Sequence, residues 1–169
     1  MTYKIHNGKD VIGLMPEDFV AGLGTRIRVI KFPDGIPGPE GYGFLHVQGY
    51  DSRIKQVQGL GYPSIVAYVA DVCSGFSVIR KNEKQQKPAN GPRFLLGKQS
   101  PGYEHIVVVE LKADCWEVVT AIPGRRRREA EIWKREDAGG SEPAPEKPEK
   151  LPRFSTLSLP LKGPGQQGS

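Results

Sequence analysis

The stretch EHIVVVELKADCWEVVTAIP, Glu104 to Pro123, decides the fold class. It holds two runs of β-branched and aromatic residues, EHIVVVELK and CWEVVTAIP, joined by ADC. Such side chains suit a pleated, half-buried surface, so the pair reads as an antiparallel hairpin. Upstream, RFLL (Arg93–Leu96) and FSVIR (Phe76–Arg80) read as two further strands, separated by the basic, turn-rich loop KNEKQQKPANGP.

Further upstream the hydrophobic period changes. Phe44, Val47, Tyr50, Ile54 and Val57 recur at steps of three and four, which predicts one amphipathic helix that GLGY ends. Pro63 then opens a second helix, with Ile65, Val66, Val69 and Val72 on one face and Gly75 at its close. Helices followed by strands predict an α+β fold, N-terminal helices packed on a four-stranded antiparallel sheet, over residues 40–136. GRRRREAEIWKRED has helix-forming composition and adds a last helix. Residues 1–39 read as an N-terminal extension, with a short strand at Thr25–Phe32 and a Pro/Gly loop to Glu40. Residues 137–169 are rich in Pro, Gly and charge without a period, which predicts a disordered tail.

The chain has 169 residues, 37% of them hydrophobic, with 21 Gly and 15 Pro, a mix that suits one domain with an unstructured appendage. No run is long enough to span a membrane, and MTYKIHNGKD lacks the apolar segment of a secretory signal, so a cytoplasmic protein is expected. Cys73 and Cys115 have no metal-ligand spacing and read as buried small hydrophobes. The net charge is +5, and the last 33 residues are neutral, so the excess lies in residues 1–136. A basic domain suits a polyanionic partner.

The stretch GYGFLHV places His46 near a helix start, with Tyr50 and Arg53 at i+4 and i+7. An imidazole, a phenol and a guanidinium on one edge could line a cleft, histidine moving a proton and arginine clamping a phosphate. From helix spacing alone the plainer reading, a half-exposed helix histidine beside a surface arginine, is favoured. Thr120 shares a strand face with Trp116, Val118 and Ile122, and needs no role beyond strand formation, though its hydroxyl could reach a phosphate. Arg80, Lys81, Lys84, Lys87 and Arg93 surround the basic loop, either as a solvated turn or as an RNA groove with Arg80 or Arg93 at the scissile phosphate. The run Arg125–Arg128 opposes the dipole of a helix start, which favours a polyanion contact there. His105 reads as a satisfied structural histidine. No metal constellation, nucleotide loop or Ser-His-Asp set stands out, so no cofactor is expected.

GYGFLHV, GYPSIVAYVADVCSGFSVIRKNE, RFLL, HIVVVELK and WEVVTAIP, in this order, resemble the barnase–EndoU–colicin–RelE-like nucleases of phages and mobile elements. These domains often stand at the C-terminus of head-morphogenesis or polymorphic-toxin proteins. The resemblance covers roughly residues 40–124. It implies a metal-independent endoribonuclease in which an RNA 2′-hydroxyl attacks the adjacent phosphate, leaving a 2′,3′-cyclic phosphate. It implies His46, Arg80 and Thr120 as catalytic residues, with Lys81 an alternative to Arg80. RNA contacts would come from Arg53, Lys81, Arg93, Arg125 and Arg126. RNA would be the partner, with room for an immunity or inhibitor protein. The family's second histidine, about five residues after the first, is here replaced by Tyr50 or Asp51. These two become auxiliary candidates, and an inactive RNA- or protein-binding relative or a small structural phage protein is the alternative.

Overall fold

The computed structural model describes residues 2–82, 91–125 and 131–135. In chain order its elements are β1 (Val11–Leu14), α1 (Glu17–Gly22), β2 (Val29–Lys31), α2 (Gly43–Gln48), α3 (Asp51–Gly59), α4 (Ile65–Gly75), β3 (Val78–Lys81), β4 (Arg93–Ser100), β5 (Tyr103–Leu111), β6 (Trp116–Arg125) and β7 (Glu131–Lys134). The two β-branched runs form the hairpin β5–β6, and β4 pairs with β5 along its whole length. Gly102 takes the left-handed position between β4 and β5, at φ +84°, where other residues are strained.

The sheet does not stop at four strands. Seven strands join in the order β1-β2-β6-β5-β4-β3-β7, and the sheet curls into a half-barrel. The pairs β1–β2, β3–β4, β4–β5 and β5–β6 are antiparallel, whereas β2–β6 is parallel. This mixed sheet with short helices overturns the expected four-stranded antiparallel sheet under N-terminal helices.

The physical reason lies in the first 39 residues. Ile12, Met15, Val20, Ile30 and Phe32 are all buried, and they are too few to form a core alone. They complete the core around Trp116, whose Nε1 donates to the Ile27 carbonyl at 2.8 Å beside the parallel pairing of Ile30 with Trp116. The boundary expected at residue 40 therefore falls inside one unit, Met1–Trp133. Of the other unit, Lys134–Ser169, only Lys134 and Arg135 are described, so the tail expected from residue 137 lies outside the described residues.

The expected last helix gives way to the strand β7. In its sequence EIWK, Ile132 is exposed while Trp133 packs against Phe76 and donates from Nε1 to Asp18 at 3.0 Å. That two-residue alternation, beside β3, outweighs the helical composition around it.

The first predicted helix is broken in two. Gly49 caps the C-terminus of α2, and Tyr50, in extended conformation, is the N-cap of α3. Glycine weakens a helix interior by about 1 kcal/mol, and Asp51 favours a new N-terminus through the helix dipole. Val47 and Val57 still reach the core, and Phe44 and Ile54 pack against it. The second helix holds as α4, where the Ser64 hydroxyl accepts from the Ala67 amide at 3.1 Å. It packs so tightly on β1 that a Cβ on Gly13 would stand 2.3 Å from the Cys73 carbonyl oxygen. Cys73 is buried, and that burial pushes its thiol well above its ordinary range.

Side chains divide between two faces of the sheet. Leu96, Val107, Val109, Val118 and Ala121 join the helices in the larger cluster. Leu95, Ile106, Val108 and Val119 form a smaller cluster on the opposite face, with Tyr42 and Ile122 packed against it. No helix among the described residues is long and apolar enough to cross a membrane.

Candidate functional site

The site begins with a short strand. β2 has three residues and pairs with β6 only at Trp116 and Glu117, and α2 and α3 pack against β6. A bulge follows on β6: Val109 pairs with Val118 and Val108 with Thr120, which leaves Val119 extra. A bulge bends a strand and re-aims its side chains. Here Val119 joins the cluster around Val108, and Thr120 stands opposite Val108 itself.

Three contacts join the helices to this strand. Arg53 of α3 donates from Nη1 to the Thr120 hydroxyl at 2.6 Å. Its guanidinium lies 4.7 Å from the centre of the Tyr50 ring. That ring meets the His46 imidazole edge-to-face, with centroids 5.3 Å apart. The structure thus brings together His46, Tyr50, Arg53 and Thr120. The bend between α2 and α3, and not one continuous helix, sets their spacing.

His46 is 9% exposed, and its Nδ1–H donates to the Gly38 carbonyl at 2.8 Å. A carbonyl can only accept, so in the neutral ring Nδ1 carries the proton and Nε2 keeps a lone pair for taking another. The glycines before His46 serve close backbone packing. Gly43 has φ +77°, and a Cβ on Gly35 would stand 1.9 Å from the Tyr42 carbonyl oxygen. Ile36 and Tyr42 bridge across this tight hairpin, and Gly38 lies at its tip. The loop therefore fixes the imidazole through its backbone.

The other expected site residues fall elsewhere. Arg80 is buried on β3, its Nη1 on Glu104 Oε2 at 2.5 Å and its Nη2 on Glu131 Oε2 at 3.4 Å. Glu104 also accepts from Gln99 at 2.5 Å. These bonds tie β3 to β5 and β7, so Arg80 serves the sheet and is committed to carboxylates where a phosphate contact was expected. Arg93 donates from Nε to Glu110 at 2.6 Å. Lys81 and Asp51 are exposed, Asp51 as the first residue of α3. Arg125 ends β6, and Lys84, Lys87 and Arg126–Arg128 lie outside the described residues.

His105 sits among Tyr62, Tyr68 and Tyr103, and its Nδ1 accepts from the Gly124 amide at 3.4 Å. Burial holds its pKa below the usual histidine range, the Lys98 charge adds to this, and Asp71 opposes it. Lys98 and Tyr62 both donate to Asp71, at 2.6 and 2.5 Å.

Among the described residues no group of three His, Cys, Asp or Glu could hold a metal ion. Two buried carboxylates in the strands, Glu110 and Glu117, were not singled out from the sequence. Their signal was there: each is an acid inside an apolar run, at positions that pair across β5 and β6. Fold and site together define a basic half-barrel domain carrying a His-Tyr-Arg-Thr cluster. Comparison with protein-family models, with curated proteins and with solved structures gives no match.

Proposed function

We propose that the cluster on α2, α3 and β6 binds a phosphodiester of RNA and cleaves it without a metal. The observation that carries this reading is the Arg53–Thr120 bond, which holds a guanidinium against the same tyrosine ring that the imidazole touches. In the reaction His46 Nε2 takes the proton of the RNA 2′-hydroxyl. The 2′-oxygen bonds to phosphorus, the bond from phosphorus to the 5′-oxygen breaks, and a 2′,3′-cyclic phosphate forms. The cluster has a single imidazole, so the imidazolium returns its proton to the leaving 5′-oxygen. Arg53 stabilises the charge gathered on the phosphoryl oxygens, and Thr120 holds Arg53 in place.

The test uses the full chain, total RNA and a chelator. Cleavage that yields cyclic-phosphate ends and disappears in His46→Ala supports the reading. Equal cleavage by the variant, or none by the native chain, overturns it. Salt-dependent RNA binding without product would identify the binding relative instead.

A further inference from the structure

The helix that carries His46 depends on hydrogen bonds from outside itself. α2 has six residues, and its N-cap, Tyr42, makes no side-chain bond to the first turn. Isolated helices this short are marginal in water, and their first amides need other acceptors. Here the Phe44 amide donates to the Pro33 carbonyl at 2.9 Å, and the Leu45 amide to the Asp34 carbonyl at 2.8 Å. The Phe44 ring also meets Phe32 edge-to-face, with centroids 5.9 Å apart. Residues 32–34 are therefore the seat of α2.

That seat is held in turn by residues 2–4. Tyr3 forms an antiparallel bridge with Pro33. The Lys4 amide donates to the Phe32 carbonyl at 2.8 Å, and the Asp34 amide to the Thr2 carbonyl at 2.9 Å. The side chains of this arm add two anchors with different destinations. Lys4 Nζ lies 2.8 Å from Asp34 Oδ1 and 4.2 Å from the centre of the Phe44 ring. Asp34 Oδ1 is buried and accepts no aligned hydrogen bond among the described residues, so the Lys4 charge is what balances it. Tyr3 reaches the other way. Its hydroxyl donates at 2.9 Å to Glu117 Oε2 on β6, three positions before Thr120.

We infer that the arm of residues 2–4 sets the spacing between the two halves of the His46 cluster, with Lys4 and Tyr3 as its positioning residues. Lys4 fixes the start of α2, and through it the imidazole. Tyr3 ties the same arm to the strand that presents Thr120. The arm thus bridges α2 and β6 on one side, while the Arg53–Thr120 bond joins α3 to β6 on the other. The inference rests on the cleavage reading only for its effect on rate. A base misplaced by about 1 Å can cost about 10²-fold, although the residue that moved it never meets the substrate.

Three variants of the full chain test this. Lys4→Met keeps an apolar stem without the charge, Lys4→Arg keeps a cation for both Asp34 and Phe44, and Tyr3→Phe removes only the hydroxyl. NMR without RNA reads the positions directly, from the His46 ring signals beside the edge-on Tyr50 ring and from exchange of the Phe44 and Leu45 amides. In Lys4→Met the two amides should exchange about tenfold faster and the His46 signals should shift, and Lys4→Arg should restore both. Tyr3→Phe should shift the His46 signals as well. With RNA, Lys4→Met and Tyr3→Phe should each lose about ten- to a hundredfold in kcat with KM little changed. Native His46 signals in Lys4→Met and Tyr3→Phe, or a defect that Lys4→Arg does not repair, overturn the inference. So does a raised KM with native kcat, which would mark a lost RNA contact instead. If the signals move as expected while the native chain leaves RNA uncut, the positioning role stands and the cleavage reading falls. Thermal melting establishes that the variants are folded, and because Lys4 and Tyr3 make separate bonds, either one carries the test if the other does not fold.

Discussion

Arg53 donates from Nη1 to Thr120 Oγ1 at 2.6 Å, joining residues 67 positions apart in the chain. The bond spans helix α3 and strand β6 and ties the His46 cluster to the sheet. If the guanidinium stabilises transition-state charge, Arg53→Ala lowers kcat about 10²- to 10³-fold in the RNA-cleavage assay. Thr120→Val keeps the strand shape and removes only the anchor, so its loss is smaller, about tenfold. A Thr120→Val variant that cleaves RNA at the native rate would show that the anchor does not matter.

The packing of His46 and the base role proposed for it separate by substitution. His46→Ala removes the bond to the Gly38 carbonyl and costs about 1–2 kcal/mol of stability. His46→Asn retains an N–H donor for that carbonyl and recovers part of the loss, yet it has no lone-pair nitrogen to act as a base. Denaturant melts should rank Asn above Ala, while cleavage is absent from both.

Arg80 belongs to the sheet. Arg80→Met leaves Glu104 buried beside Gln99 without its cation, and breaking such a pair costs about 3–5 kcal/mol. The melting temperature should drop by about 10 °C or more. The fraction that remains folded should cleave RNA normally. Native stability with lost cleavage would instead return Arg80 to the chemistry.

His105 makes stability depend on pH. Its folded pKa lies below the ordinary 6.5, so between those two values the unfolded chain binds a proton that the folded chain does not. Stability therefore falls as pH is lowered through about 6.5 toward the depressed folded value. Urea melts across pH 5 to 8 should show this slope in the native chain and lose it in His105→Gln.

Sequence patterning revealed the strands well and the sheet poorly. The runs at Phe94–Leu96, Ile106–Val109 and Val118–Ile122 are β-branched or apolar over several residues, and they became β4, β5 and β6. β1 and β2 are only four and three residues long, too short for a period to declare itself. Their place was set by the distant Trp116, which no local pattern reports. The cluster was partly visible: His46, Tyr50 and Arg53 are near in sequence. Its partner on β6 was not readable from spacing, and neither was the bulge that aims Thr120. The commitment of Arg80 and Arg93 to carboxylates was hidden for the same reason, because ion pairing across strands depends on register. The resemblance drew attention to His46 and Thr120, but the fold it implied is not the one found.

The three-residue strand β2 has a consequence for the order in which the protein comes into being. The β4–β5–β6 meander forms from neighbouring segments, which can pair within microseconds. By contrast, Ile30 finds Trp116, and Arg53 finds Thr120, only by closing long loops. During synthesis the helices that carry His46 and Arg53 leave the ribosome well before β6, the strand on which they pack. A nascent chain halted before Trp116 thus has the histidine and the arginine but lacks Thr120, so the assembled cluster exists only once nearly the whole domain has been made.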